Sequence, residues 1–140
     1  MESLRSSNLV CLVRRLSVAA SPEELVRQRL LTRMVGPLGY PRGHLSVEKN
    51  LFFAGMNRRI DIVCFHSTRE GLKPLLLIEC KAGDINIGTE NQLFGYNAHI
   101  GAPFLCFAGG SELKLFWQEQ GGLKSISFLP SYKELSNTIV

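Results

Sequence analysis

The chain has no apolar run approaching the roughly 20 residues that a membrane-spanning helix requires, which excludes a membrane protein with helical spans. It also lacks a close pair of cysteines. Cys11, Cys64, Cys80 and Cys106 lie far apart inside apolar runs, so they do not have zinc-site spacing and read as small core residues. His44, His66 and His99 share no metal-binding spacing either, and read as surface or packing side chains. No Gly-x-x-x-x-Gly-Lys-[Ser/Thr] occurs, so the chain contains no P-loop motor. No internal repeat, low-complexity stretch or linker divides it. Its 140 residues therefore read as one domain, 1–140, able to bury roughly two-thirds of its unfolded surface. A secretory leader is not expected, because Arg14 and Arg15 interrupt the apolar residues before Ala19-Ala20. The expected compartment is a reducing one, the cytoplasm.

What is present is a globular composition, 45% hydrophobic and 20% charged, with a formal charge of +4 and a pI near 9.0. A mildly basic chain is compatible with a phosphate-backbone partner. Arg14, Arg15, Arg27, Arg29, Arg33, Arg42, Arg58 and Arg59 crowd the first half. For Arg27 to Arg33 the plain alternative is a solvated helix face.

The stretch that organises the rest is Leu75-Leu76-Leu77-Ile78-Glu79-Cys80-Lys81, an apolar run of strand length ending in two charges one residue apart. In a strand, Glu79 and Lys81 project to one face and Cys80 to the other. Taken alone, this is a strand end with a surface ion pair, which contributes little. Arg58 to Phe65, a second strand-like run, carries Asp61 near its start, and Ser67 to Gly71 would join the two as a hairpin. With Asp61 opposite Glu79, two carboxylates and an ammonium converge, which makes a metal site plus a cation. The same register sets Cys80 against residue 60 and Cys64 against residue 76, too far apart to bridge.

Ser21 as N-cap, Pro22 in the first turn and Glu23-Glu24 at the positive end of the dipole start a helix. Leu25, Val26, Leu30, Leu31, Met34 and Val35 form its apolar face, and Gly36-Pro37 stops it. Glu24, Arg27 and Gln28 share one face. Leu45 to Phe53 reads as a half-buried strand, on which Glu48 is first a surface acid and second a helper at the site. Ala54 to Asn57 turns into the Asp61 strand. After the polar loop Ala82 to Gly88, Thr89 caps a helix that runs to His99 or Ile100, with Gln92, Tyr96 and His99 on one stripe. The apolar strand Phe104 to Phe107 completes a βαβ unit and should lie parallel to the Glu79 strand. Leu113 to Trp117 and Ile126 to Phe128 form a hairpin at the sheet edge, and Pro130-Ser131-Tyr132 opens a short helix.

These blocks resemble the PD-(D/E)xK nucleases, with Ile60-Asp61 for the first half of the motif and Glu79-Cys80-Lys81 for the second. Ser21 to Gln28 upstream and Gln92-Leu93-Phe94-Gly95-Tyr96-Asn97 downstream resemble the N-terminal nuclease domain of type I restriction enzyme R subunits and its stand-alone relatives, over residues 13–117. Ile60 stands where the family name has proline, a position the fold tolerates because only the acid touches metal. The resemblance implies an α/β restriction-endonuclease-like core: a mixed four-stranded central sheet flanked by helices, in the order α-β-β-β-α-β, with an additional C-terminal β-hairpin. It implies a cytoplasmic, Mg²⁺-dependent DNA endonuclease, Mn²⁺ substituting, in which the Cys80 carbonyl and Glu24 join Asp61 and Glu79 around the metal. It matches Gln92 and Tyr96 to the family's Gln-x-x-x-Tyr pattern, for which the functional reading is a bond to a phosphate or the Lys81 neighbourhood and the plain one a helix N-terminal glutamine and a half-buried core tyrosine.

Phosphodiester cleavage needs an activated nucleophile and positive charge against the phosphorane, and Mg²⁺ is typically held by one or two carboxylates. Asp61 and Glu79 suffice for that. Lys81 orients the nucleophile, lowers its pKa or stabilises developing charge, for which lysine suits better than arginine because its pKa responds to burial. Arg27, Arg42, Arg58, Arg59 and Tyr96 are the expected DNA contacts. No stretch remains for a separate recognition element, so weak, salt-dependent and sequence-indifferent binding is expected. Without a motor the chain is a free-standing relative or a component used beside other chains, and duplex cutting calls for a homodimer or a partner restriction or repair subunit. The competing readings are an inactive or structural relative that holds DNA or a protein, and a small repair or junction-resolving nuclease.

Overall fold

The computed structural model describes residues 8–53, 55–83, 85 and 87–138. Helix α1 (Pro22–Val35) begins as its sequence dictates, with the Ser21 hydroxyl accepting from the Glu24 N–H at 3.1 Å. It ends at Gly36, whose N–H reaches the Thr32 carbonyl. Strands β3 (Leu45–Phe53), β4 (Met56–Thr68) and β5 (Gly71–Cys80) follow as an antiparallel meander. Helix α2 (Ile87–Ile100) then crosses over to β6 (Phe104–Ala108), which runs parallel to β5 as the βαβ argument expects. Helix α2 starts at Ile87 rather than Thr89, and the Thr89 side chain, like all of Ala54, Asp84 and Asn86, lies outside the described residues.

With β7 (Leu113–Glu119) and β8 (Gly122–Ile126), the main sheet has six strands in the order β3-β4-β5-β6-β7-β8, where a four-stranded sheet with an additional edge hairpin was expected. The reason lies in β7, which pairs with β6 from Ala108↔Leu113 to Phe104↔Trp117 and buries Leu115 in the core. The hairpin therefore continues the sheet. Its outer strand β8 is Gly122–Ile126, earlier than the apolar Ile126 to Phe128 suggested, because Gly121 and Gly122 at φ +103° and +126° make the turn and set the register. Strand β5 also starts earlier, at Gly71. It tolerates Pro74 where the ladder shifts register between Cys64 and Phe65.

The alternation of β4 and β5 divides the core into two layers. Ile62, Cys64, Leu76 and Ile78 pack with Leu30, Leu31 and Met34 of α1, whereas Val63, Leu77, Leu105 and Phe107 pack with Leu93 of α2. All four cysteines are buried thiols. A two-stranded hairpin, β1 (Asn8–Val10) with β2 (Ser17–Ala19), precedes α1, in a stretch where the sequence pattern showed no element. Helix α3 (Tyr132–Thr138) closes the chain with a capping box: the Ser131 hydroxyl accepts from the Glu134 N–H, and the Glu134 carboxylate accepts from the Ser131 N–H. No helix among the described residues is long and apolar enough to cross a membrane.

Candidate active site

The β4/β5 register, Ile62↔Ile78, Val63↔Leu77 and Cys64↔Leu76, sets Asp61 opposite Glu79 when continued by one pair. Each acid takes a backbone donor from the other strand. The Cys80 N–H donates to Asp61 Oδ2 at 2.7 Å, and the Asp61 N–H donates to Glu79 Oε1 at 3.4 Å. Lys81 follows at once, its own N–H fixed to the Ala108 carbonyl of β6 at 2.8 Å. Its ammonium is near enough to favour the charged form of both acids. The structure thus brings Asp61, Glu79 and Lys81 together.

Burial raises the Asp61 carboxyl above its ordinary range, against the pull of the Cys80 N–H and the Arg27 charge. For Glu79 burial acts first and the Asp61 charge second, and together they push it up to about 8. Two half-buried acids thus lie side by side, with Arg27 against Asp61 and Lys81 near both. Among the described residues no group of three or more His, Cys, Asp or Glu side chains is arranged to hold a metal. The side chains that could hold a cation here are the carboxylates of Asp61 and Glu79.

The sign of the pH dependence follows from Glu79. The fold holds its proton up to about 8, whereas the ordinary value is 4.5, so between those values the folded chain binds a proton that the unfolded chain has released. Stability from this group is complete below about 4.5 and is lost as the pH rises through about 8. The thermal midpoint of the metal-free protein is expected to fall between pH 5 and pH 8, and Glu79→Gln to flatten that slope. A midpoint that rises over this range, or a slope unchanged in Glu79→Gln, would refute the assignment.

Glu48 belongs to the same end of the sheet. Its neighbours pair as Val47↔Ile62 and Lys49↔Ile60, which leaves it across from Asp61, and its φ is +55°. Such a conformation in a non-glycine residue costs on the order of 1–3 kcal/mol and has to be held by its surroundings. Arg14 Nη1 meets its Oε2 at 3.2 Å and Arg27 Nη1 its Oε1 at 3.3 Å. The alternation of β4 also breaks here, since Ile62 packs in the α1 layer and Ile60 in the α2 layer. This break lets Asp61 face α1.

Arg27 was expected among the DNA contacts, but it is only 3% exposed and its guanidinium lies among acids. It reaches Glu24 Oε1 at 3.5 Å, Glu48 Oε1 at 3.3 Å and Asp61 Oδ1 at 3.5 Å. Its Nε and Nη1 make no hydrogen bond among the described residues. Glu24, 7% exposed, is joined to Asp61 through Arg27 and is further held by Arg14 Nη2 at 3.2 Å and by the Gln28 amide at 2.8 Å. Gln28 in turn accepts from the Leu12 N–H at 3.0 Å, which ties the N-terminal hairpin to the cluster. Arg14 is the residue that pattern reading gave no place at the site; Gln28 was expected on the face shared with Glu24 and Arg27, and Glu48, read first as a surface acid and second as a helper, takes the second role in its contacts with Arg14 and Arg27.

The remaining candidates lie further out. Arg59, with its side chain 62% exposed, comes to 4.0 Å from Glu48. The Arg58 guanidinium sits over the Tyr96 ring at 5.2 Å. Gln92 is exposed on α2, and no described contact joins it to the two acids. Arg42 is exposed on the 3₁₀ turn Arg42–His44.

Residues 22–131 match the family model described as Type I restriction enzyme R protein N terminus. No curated protein and no solved structure matches the chain.

Proposed function

Because the chain belongs to the type I restriction enzyme R protein N-terminus family, we propose that it is a magnesium-dependent DNA endonuclease of the PD-(D/E)xK kind. The family ties it to restriction enzymes. The observation that carries the finer reading is the Asp61–Glu79 pair at the carboxyl end of β5, with Lys81 next in the chain. Asp61, Glu79 and the Cys80 carbonyl would hold the ion, which supplies Lewis acidity and an activated water when bound, manganese serving in its place.

Lys81 sets its positive charge beside the scissile phosphate, where it orients the nucleophile and offsets the charge that builds on the phosphoryl oxygens. Arg27 keeps one Asp61 oxygen turned toward α1 while the Cys80 N–H holds the other, so the carboxylate is fixed before substrate arrives. Arg59, near Glu48, and Arg58, over the Tyr96 ring, would supply phosphate contacts from β4. A double-strand break would need a second copy of the site, from a homodimer or a partner subunit.

A second reading, a relative that binds DNA without cutting it, draws on Arg27, which already neutralises part of the Asp61 charge. One assay separates the two. The chain is incubated with single-stranded, duplex, nicked and branched DNA, with Mg²⁺, Mn²⁺ or a chelator. Metal-dependent cleavage of any substrate is the expected result, and preference for the branched one would point to junction resolution. Binding without cleavage in either metal would establish the non-catalytic reading instead.

A further inference from the structure

Helix α1 advances 100° per residue, which divides its surface into three stripes. Leu30, Leu31 and Met34 form the buried one. On one flank Glu24, Arg27 and Gln28 turn toward β3 and β4, where Glu48 and Asp61 lie. On the other flank Val26, Arg29, Leu30 and Arg33 wall a cleft of about 530 Å³ whose far side is the β6–β7 turn and the start of β7. The helix thus lies across β5, with the carboxylate site on one side and the cleft on the other.

The cleft is cationic. Arg29 and Arg33, one turn apart, and Lys114 across from them are all exposed. Among the described residues none of the three has an ion-pair partner. The acid in the lining, Glu112, is committed elsewhere, accepting from the Ile85 N–H at 3.2 Å. Like charges set at i and i+4 repel, and three cations against the one Glu112 carboxylate leave the concave wall net positive, which focuses its field on an anion.

The cleft also adjoins the motif strand. Ala108 lines it and accepts the Lys81 N–H, and β6 ends beside β5 with Cys80↔Ala108 in register. A Cβ on Gly109 would stand 2.8 Å from the Gly83 carbonyl oxygen, and one on Gly110 3.2 Å from that of Ala82. The turn walling the cleft is therefore packed directly on the segment that leaves Lys81.

We propose that this cleft binds the sugar–phosphate backbone of the nucleic acid, so that a strand crossing the end of β5 passes from Arg59, over the carboxylates, to Arg29, Arg33 and Lys114. The proposal rests on the nuclease reading for the nature of the ligand, and its test is a binding measurement that needs no catalysis. Labelled single-stranded and duplex DNA are titrated with the chain in chelator, at salt from about 50 to 200 mM. The variant R29Q/R33Q/K114Q should bind at least about 10-fold more weakly at low salt. Its slope of log affinity against log salt should be shallower by roughly two to three, about one for each phosphate that is no longer neutralised.

R69Q/K133Q removes cations that line neither the cleft nor the carboxylate site, and should leave the slope near the wild-type value. The replaced side chains are exposed, and an unchanged thermal midpoint confirms that the fold persists. A wild-type slope in the triple variant, or the same loss per charge in R69Q/K133Q, overturns the cleft while leaving the nuclease reading standing. Failure of the wild type to bind any DNA in chelator also overturns the cleft, and the nuclease reading is then decided by its own cleavage assay.

Discussion

Alanine at Asp61 or Glu79 is expected to reduce both divalent-cation binding and DNA cleavage to background, whereas alanine at Lys81 should lower cleavage roughly 10²- to 10³-fold and leave cation binding in place. The separation follows from chemistry. The two carboxylates are the donors a hard ion requires, while an ammonium cannot ligate a metal and acts on charge in the transition state. Glu24 touches Arg27 rather than the acid pair, so Glu24→Gln should cost less, on the order of 10- to 100-fold, through a less well held Asp61. Calorimetric titration of each variant with Mn²⁺, beside its cleavage rate, reads the two effects independently. Equal cation affinity in the wild type and Asp61→Ala would remove Asp61 from the ligand set.

The strands that carry these acids could be read in advance because they are buried. Leu75 to Ile78 and Ile60 to Phe65 have no other use for so many apolar side chains, and a hairpin between them leaves one register that faces Asp61 with Glu79. The parallel β6 followed from the length of α2 alone. Strand β8 was misplaced because Gly122 to Ser125 are exposed and carry no alternation, so its position is set by the Gly121-Gly122 turn rather than by burial. The β1–β2 hairpin was missed for a similar reason: three residues per strand are too few for a period to show.

Arg14, and the contacts that draw Glu48 to Asp61, were hidden in another way. The strand rule of alternate faces would send Glu48 and Lys49 to opposite sides and give no reason for either to seek Asp61. At Glu48 the backbone leaves the β region, and at Asp61 the strand changes which layer its neighbours enter, so the side chains meet α1 against the pattern. Departures of this kind need tertiary contacts to hold them. Here the contacts are arginines distant in sequence, Arg14 being 34 residues from Glu48.

Those arginines give the largest stability effect expected of any single replacement, at Arg27. Arg27 is 3% exposed and its guanidinium faces Glu24, Glu48 and Asp61 at 3.3 to 3.5 Å, so Arg27→Met leaves three carboxylates around a buried gap with one cation fewer. Breaking a buried pair by removing one partner costs about 3–5 kcal/mol, most of it the stranded charge rather than the missing attraction. The loss should therefore shrink as the pH falls and Asp61, whose carboxyl burial raises above its ordinary range, takes up a proton. It should also shrink in Arg27→Met/Glu24→Gln, which removes one of the stranded charges. Arg27→Lys should fall between, since an ammonium restores the charge but cannot span three acids as the planar fork does. Mg²⁺ offers a further check: if the acids then lack their resident cation, added ion should raise the midpoint of Arg27→Met more than that of the wild type, by mass action on the folded state. Chemical denaturation at pH 5 and pH 8, with and without Mg²⁺, measures all of this. A variant within about 1 kcal/mol of wild type at pH 8, below the cost of breaking a buried pair, would show that the acids do not depend on Arg27.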